Sequence, residues 1–424
     1  MKQSVTLLLF LGMPFLSVAA VIAGEETADT ADDGKAIVPI LTETTSERPW
    51  KFTLDTRLRW EYGDQDGLDE ANAVTWRTRL GLLVNPFEGL SLFAEYEGTT
   101  AADRDSYRAA SVHGSTTKTV IADPESHELN QLWLSYNQWD TEVKLGRQVI
   151  MLNNQRFVGA VAWRQNNQTY DAVTVTNQSV ANLQLFYGYV NRVNRIFGSG
   201  DIANPAQEDF EGDTHLINAT YTFSPELSLT GYAYFMGLHT PAGDGASNNS
   251  YGLQAKGVIP LGGDGAVKVP YLVDGAYQTD GAHSPADYGA WYYHANAGLN
   301  VGKFTVGAGF ESLGSDGGTG FQTPLATLHA FNGWADLFLS IPRDGLNDAY
   351  LFADAAVTEK LNLQARFHAF GPDSGSMDYG TEVDAALVYS INSKMSVGAK
   401  YAYYFADEFG ADTNRFVLDL GFKF

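Results

Sequence analysis

Arginine offers this chain its most conspicuous chemistry. Arg57 and Arg59, and again Arg77 and Arg79, are spaced two residues apart. On an extended strand that spacing sends both guanidiniums to one face. Gly146-Arg147-Gln148, Gln155-Arg156-Phe157 and Trp163-Arg164 follow close together, ahead of Tyr170-Asp171. A guanidinium stays charged at every relevant pH and grips carboxylates with a planar fork, so such a set suits recognition or passage of anions. Acids share the register: Asp55 and Glu61 lie in step with the first pair, and Glu95 and Glu97 alternate on the next apolar run. Hydrolytic chemistry finds no matching pattern. There is no Gly-x-Ser-x-Gly elbow, His127-Glu128 meets Gln131 where a second zinc-ligating His would stand, and Gly302-Lys303-Phe304 lacks the earlier phosphate-loop glycine. The loop histidines His113, His127, His239 and His283 read as solvated groups, and no enzyme is expected.

The elements that must position these residues are strands with two faces. Phe52, Leu54, Thr56, Leu58, Trp60 and Tyr62 alternate with Lys51, Thr53, Asp55, Arg57, Arg59 and Glu61. The chain closes in the same rhythm: Phe416, Leu418, Leu420, Phe422 and Phe424 on one side, Val417, Asp419, Gly421 and Lys423 on the other. Strands are predicted near 50–62, 73–84, 90–99, 129–138, 141–148, 170–177, 181–190, 213–222 and 227–237. They continue near 250–260, 266–276, 291–301, 304–312, 345–356, 361–370, 381–390, 395–405 and 414–424, eighteen in all. Connections alternate between short turns, such as Gly302–Lys303, and long segments at 100–128, 149–169, 191–212, 238–249 and 313–344. Short turns on one rim and long loops on the other are the pattern of a transmembrane antiparallel β-barrel, with the turns periplasmic and the loops extracellular. The apolar piece Phe331–Leu339 could be a further strand, but an odd count would put the termini on opposite sides of the membrane. It is assigned to a long outer loop. In hydrocarbon only a closed sheet satisfies every backbone N–H and C=O, and about eighteen strands leave an aqueous lumen.

Composition agrees. Lys2 and the apolar run Leu7 to Val18, with Val21-Ile22-Ala23 as a cleavage site, read as a signal peptide over 1–23. Residues 24–49 read as an acidic, disordered periplasmic segment, and 50–424 as the barrel. Cysteine is absent, so no disulfide framework holds an exported fold together. The net charge of −23 argues against nucleic acid as a partner and places acids in water-facing loops. Asp64-Gln-Asp66-Gly-Leu-Asp69-Glu70 has the carboxylate density to hold Ca²⁺ but not the spacing of a complete calcium loop, and it reads as a charged outer loop. No metal or other cofactor is expected. The inward register gathers Arg57, Arg59, Arg77 and Arg79 with Arg366, Lys400 and Lys423 near the other end. Because the first strand of a closed barrel meets the last, these cations share one sector of wall. Such a wall either selects solutes by charge or forms paired ladders that keep the lumen wet.

The stretch from Gly146 to Val173 resembles the alginate-export family of bacterial outer-membrane porins, through its Gly-Arg-Gln strand end, Gln-Arg-Phe loop and Trp-Arg ahead of an aromatic-Asp strand. Phe321 to Asp336, with His329 and Trp334, resembles a second loop of that family. The resemblance implies a monomeric barrel of eighteen strands in the bacterial outer membrane, with an arginine-lined constriction passing an anionic polysaccharide. By motif, Arg147, Arg156 and Arg164 are its constriction cations and Asp171 their counter-charge. Strict alternation from Val143 and Leu145 aims Arg147 at lipid, so it either sits at the rim or is turned inward by a bulge. Partners expected on this reading are outer-membrane lipid and lipopolysaccharide, an anionic saccharide or small anionic solute, and the barrel-assembly machinery through the C-terminal strand. A small-solute or general porin with no export role is the alternative, and a surface enzyme or adhesin on a barrel scaffold a third.

Overall fold

A computed structural model describes residues 49–198, 207, 209–262 and 265–424. The signal peptide and nearly all of the acidic leader assigned from sequence lie outside these residues. The chain runs as β1 (Trp50–Gln65), β2 (Ala71–Phe87), β3 (Leu90–Ala101), β4 (Ser126–Gln138), β5 (Thr141–Gln148) and β6 (Thr169–Asn177). Then come β7 (Leu183–Asn194), β8 (Phe210–Ser224), β9 (Leu227–Leu238), a single helical turn α1 (Pro241–Asp244), β10 (Asn248–Leu261), β11 (Val267–Asp280) and β12 (Gly289–Val301). The last third holds β13 (Phe304–Leu313), β14 (Leu346–Ala356), β15 (Leu361–Gly371), β16 (Gly380–Asn392), β17 (Met395–Phe405) and β18 (Thr413–Lys423). Every strand pairs antiparallel with its sequence neighbour, and β1 also pairs with β18 from Asp55↔Lys423 to Gln65↔Thr413. The sheet therefore has no free edge, which hydrocarbon demands.

All eighteen strands expected from the alternation are present, and Phe331–Leu339 lies in the loop between β13 and β14. The two faces are set by register. Trp76 is 57% exposed while its neighbour Arg77 is 1% exposed. One side chain meets the membrane and the next meets the lumen. Two glycines serve the wall directly: a Cβ on Gly252 or Gly309 would stand 2.2 Å from the ring of Tyr232 or Tyr350, which lies across it from the neighbouring strand.

The lumen is not left empty. The loops 149–168 and 314–345 turn inward and pack Phe157, Val158, Phe321 and Leu325 against inward residues of β8–β12, among them Leu216, Tyr232, Tyr234 and Tyr292. Phe157 meets Tyr232, Tyr234, Tyr292 and Phe321 at ring separations of 5.3–5.8 Å. The buried apolar core thus lies inside the barrel, where two of its loops pack against the wall.

Candidate channel constriction

The two inward loops form one body. Val158 and Leu325 make a parallel β-bridge, the Gly159 N–H donates to Leu325 O at 2.8 Å, and the Thr327 N–H donates to Gln155 O at 3.0 Å. Thr327 Oγ1 donates to Gln155 Oε1 at 2.8 Å and accepts from the Val161 N–H at 3.1 Å. Gly159 has to be glycine, because a Cβ there would lie 2.3 Å from Thr327 Oγ1. Val161 is held at φ 52°, a left-handed conformation that a β-branched residue avoids. The contacts on either side of it impose that strain.

Ion pairs fasten this body to the wall. Arg164 reaches Glu61 on β1 at 3.1 Å, Asp336 of the partner loop at 2.8 Å and Asp123 of the loop after β3 at 3.7 Å. Arg156 reaches Glu311 on β13 at 2.8 Å and Asn332 at 2.9 Å. Arg415 on β18 holds the other oxygen of Glu61 at 3.2 Å and donates to Ala335 O. Burial alone would lower the Arg164 guanidinium, but Glu61, Asp123 and Asp336 outweigh it and keep the group above its ordinary value.

His329 is the hinge of the arrangement. Lys400 Nζ lies 2.7 Å from its Nε2, and an ammonium can only donate, so Nε2 accepts. The ring proton therefore sits on Nδ1 and is donated to Asp336 at 2.7 Å. Trp163 stacks on the imidazole at 3.3 Å and takes the cations of Arg164 and Lys400 over its face at 4.1 and 5.1 Å. Burial, then the Lys400 charge, push His329 down to about 3. Asp336 is held below the usual carboxylate range because His329 and Arg164 outweigh its burial.

The inward wall is divided by charge. Arg57 and Arg59 on β1, Arg77 and Arg79 on β2, Lys400 on β17 and Arg415 on β18 make a contiguous basic sector. Asp274 on β11, Glu311 on β13, Asp348 on β14, and Glu382 and Asp384 on β16 make an acidic one that adjoins it where β16 meets β17. Arg59 pairs with Asp419 at 2.8 Å and Asp123 at 3.3 Å. Arg79 pairs with Glu97 and also meets Asn167. Arg57 donates to Gln165 Oε1 at 2.9 Å and to the Arg164 carbonyl. Arg77 is different. One nitrogen pairs with Asp55, and among the described residues Nε and Nη1 find no acceptor although the side chain is buried.

Several sequence-stated sites sit elsewhere. Arg147 and Asp171, carried over by motif as constriction residues, do not reach the lumen. They are cross-strand partners on the outward register of β5 and β6, paired at 2.7 Å near the outer rim. No bulge turns β5, so alternation decides the matter. Arg366 faces inward but stands among the acids, paired with Asp354 at 2.8 Å, rather than with the basic sector. Glu95 accepts from Asn130 at 2.7 Å and Gln131 at 3.0 Å beside a bulge in the β3–β4 pairing. In the acidic outer segment, Asp69 is engaged by Thr117 at 2.6 Å, and no group of three or more His, Asp or Glu suited to a metal occurs among the described residues.

Four residues of the network were not picked out from sequence. Arg415 and Asp419 were within reach, since stepping back from Val417 by two places Arg415 inward and Asp419 shares that face. Glu311 too is placed inward by its alternation with the exposed Phe310 and is met by Tyr292 of the wall at 2.8 Å, whereas Asp123 lies beyond any periodicity argument, because only the infolding of its loop brings it to Arg59.

The barrel is similar in fold to solved outer-membrane proteins. The outer membrane protein OpdK from Pseudomonas aeruginosa matches with a TM-score of 0.69 at 13% identity, over 88% of this chain and 98% of that one. OccAB2 from Acinetobacter baumannii matches at 0.67 and 17% identity, again over 88% and 98%. OccD3 (OpdP) from Pseudomonas aeruginosa matches at 0.66 and 16%, over 88% and 91%. Identities this low show the shared fold alone. No curated protein sequence matches the chain. What is shared is the architecture: a closed eighteen-stranded antiparallel β-barrel, the fold of these outer-membrane proteins. A model described as "Alginate export" matches residues 48–186, which hold β1 to β6 and the Arg156–Arg164 loop. It is the same family that the loop motifs resemble.

Proposed function

We propose that this barrel is a passive channel for anionic solutes, and that the basic sector of β17–β18–β1–β2 is its selecting surface. The observation that carries the reading is Arg77, a buried guanidinium with two donors that find no acceptor among the described residues. A buried donor without a partner is costly, and a passing carboxylate or phosphate supplies what the wall does not. Its neighbours Arg57 and Arg79 add local positive potential without closing off those donors. Passage requires weak, successive contacts rather than one tight site, and Arg77, partly satisfied within a row of paired arginines, offers one such contact.

Small anions fit better than a polysaccharide on one specific observation. The joined loops press against both walls, leaving Arg59, Arg77, Arg79 and Arg156 at 1–2% exposure. A polymer would need the whole body displaced, whereas a small carboxylate needs only local yielding beside Arg77. The test is single-channel recording in planar bilayers under a salt gradient. Arg77→Ala should move the reversal potential toward cation preference, and liposome swelling should favour a monomeric uronate over its longer oligomers. An unmoved reversal potential removes Arg77 from selectivity, and faster uptake of oligomers than of monomers would favour export.

A further inference from the structure

The outward wall carries a feature that the channel reading does not use. Over β13–β18 the membrane face sinks into a depression of about 500 Å³. Its floor is made by Ala353, Ala365 and Ala385, which lie directly across from one another on β14, β15 and β16. These alanines share the outward register with Leu351, Phe367 and Val383, all well exposed. Phe304 and Val306 wall one side of the trough, and Leu387 and Tyr401 the other. Elsewhere the outward register carries large residues such as Trp76, Leu80 and Leu82, which fill the same depth. The trough reaches the turn-bearing, periplasmic end at Phe304, the first residue of β13.

Charge at that end is sorted around the barrel. The turns below the trough present Lys303, Lys360 and Lys394, all exposed. Lys303 Nζ donates to Val357 O at 3.1 Å and Lys360 Nζ to Ile391 O at 3.0 Å, each reaching across to the next turn. Lys394 Nζ lies 3.9 Å over the Phe424 ring. Among the described residues none of the three pairs with a carboxylate, although Glu359 is adjacent in sequence to Lys360. On the far arc the corresponding turns carry Glu88, Asp140 and Glu226. An anionic headgroup is thus repelled on one side of the rim and attracted on the other.

We propose that this trough seats one acyl chain of an anionic glycerophospholipid of the periplasmic leaflet, with its phosphate held by Lys303, Lys360 and Lys394. Apolar complementarity orders the chain, and the ammonium arc selects the headgroup. The idea rests on the outer-membrane fold and is independent of which solute crosses the lumen.

The test is native mass spectrometry of the whole barrel in mild detergent, supplied with phosphatidylglycerol or phosphatidylethanolamine of matched chains. The wild type should retain one phosphatidylglycerol with about a tenfold preference. Ala365→Leu with Ala385→Leu fills the floor and should abolish retention of either lipid, with conductance unchanged. Lys303→Gln with Lys360→Gln and Lys394→Gln lies outside the sheet and should equalise the two lipids even if the filled variant folds poorly. Equal retention by the wild type, undiminished retention by a folded filled variant, or a lipid-free dimer seated through this face would overturn the proposal.

Discussion

Removing Arg164 is the most direct test of how the inward loops are held. In Arg164→Ala, Glu61 keeps Arg415 at 3.2 Å, Asp336 keeps His329 at 2.7 Å, and Asp123 keeps Arg59 at 3.3 Å. None is orphaned, but each loses the cation that linked loop to wall. Breaking a buried pair by removing one partner costs about 3–5 kcal/mol. With a second partner left on every acid, the low end applies, about 3 kcal/mol. The cost falls on the docked arrangement, because water rehydrates the acids once the loops move away. At about 1.4 kcal/mol per tenfold, the docked-to-undocked ratio should fall about 100-fold. A body displaced about 0.1% of the time would then be displaced about 10% of the time. Single-channel recording should show frequent large openings, and a heat-modifiability gel should show the barrel still folded. Arg147→Ala is the matched control. Its pair with Asp171 is on the outward face and partly exposed, so it contributes about 0.2–1 kcal/mol and nothing to gating. An Arg164→Ala barrel that folds and conducts like the wild type would refute a latched constriction.

Acid should release the same latch. His329 has its docked value pushed down to about 3 from the ordinary 6.5, first by burial and then by Lys400. The undocked state therefore takes up a proton that the docked state refuses, and docking weakens as pH falls from about 6.5 toward 3, by about 1.4 kcal/mol per pH unit. Asp336, held low, acts in the same direction below the ordinary carboxylate range. Open probability should rise as pH falls, and His329→Gln should flatten the rise above pH 5. Gly252→Val would drive Tyr232 off the wall and away from Asp274, which its hydroxyl meets at 2.8 Å. It should lower stability by about 1–3 kcal/mol, seen as a lower temperature for the gel-mobility shift. Raising salt should screen the exposed acids of the outer loops, such as Asp64, Asp66 and Asp103, more than the buried lumen pairs. Anion flux should therefore rise more steeply with ionic strength than conductivity alone predicts, and a strictly proportional rise would argue against an acidic mouth over a basic lumen.

The barrel was legible because lipid enforces a period of two on every strand. From Trp50 onward each pair such as Trp76 and Arg77 reports which side is hydrocarbon. That signal located the strands and placed Arg57, Arg59, Arg77, Arg79 and Lys400 inward. It equally aimed Arg147 outward, and there the register outweighed the motif. The constriction was legible only in part. Arg156, Arg164, Trp163 and Asp336 stand in recognisable loop segments, yet nothing periodic says that one loop lies on the other or that Arg156 meets Glu311. Those contacts join residues 155 apart in sequence, and they depend on packing of Phe157 and Phe321 that no local pattern encodes.

The resulting division of labour differs from what the motifs imply. Arg156 and Arg164 were expected to meet the solute, but both are saturated: one by Glu311 and Asn332, the other by Glu61, Asp123 and Asp336. A guanidinium whose fork is already filled by buried carboxylates has little left for a mobile anion, and withdrawing it would cut the link between loop and wall. One wall arginine is in the opposite condition. Arg77 shares one carboxylate, Asp55, with Lys423 at 3.6 Å and keeps donors open. A strand fixes its position, so it can give weak, repeated contact without changing the shape of the pore. A loop arginine that fastens and, on the proposed function, a wall arginine that selects predict different mutant phenotypes: altered gating for Arg164, altered charge preference for Arg77.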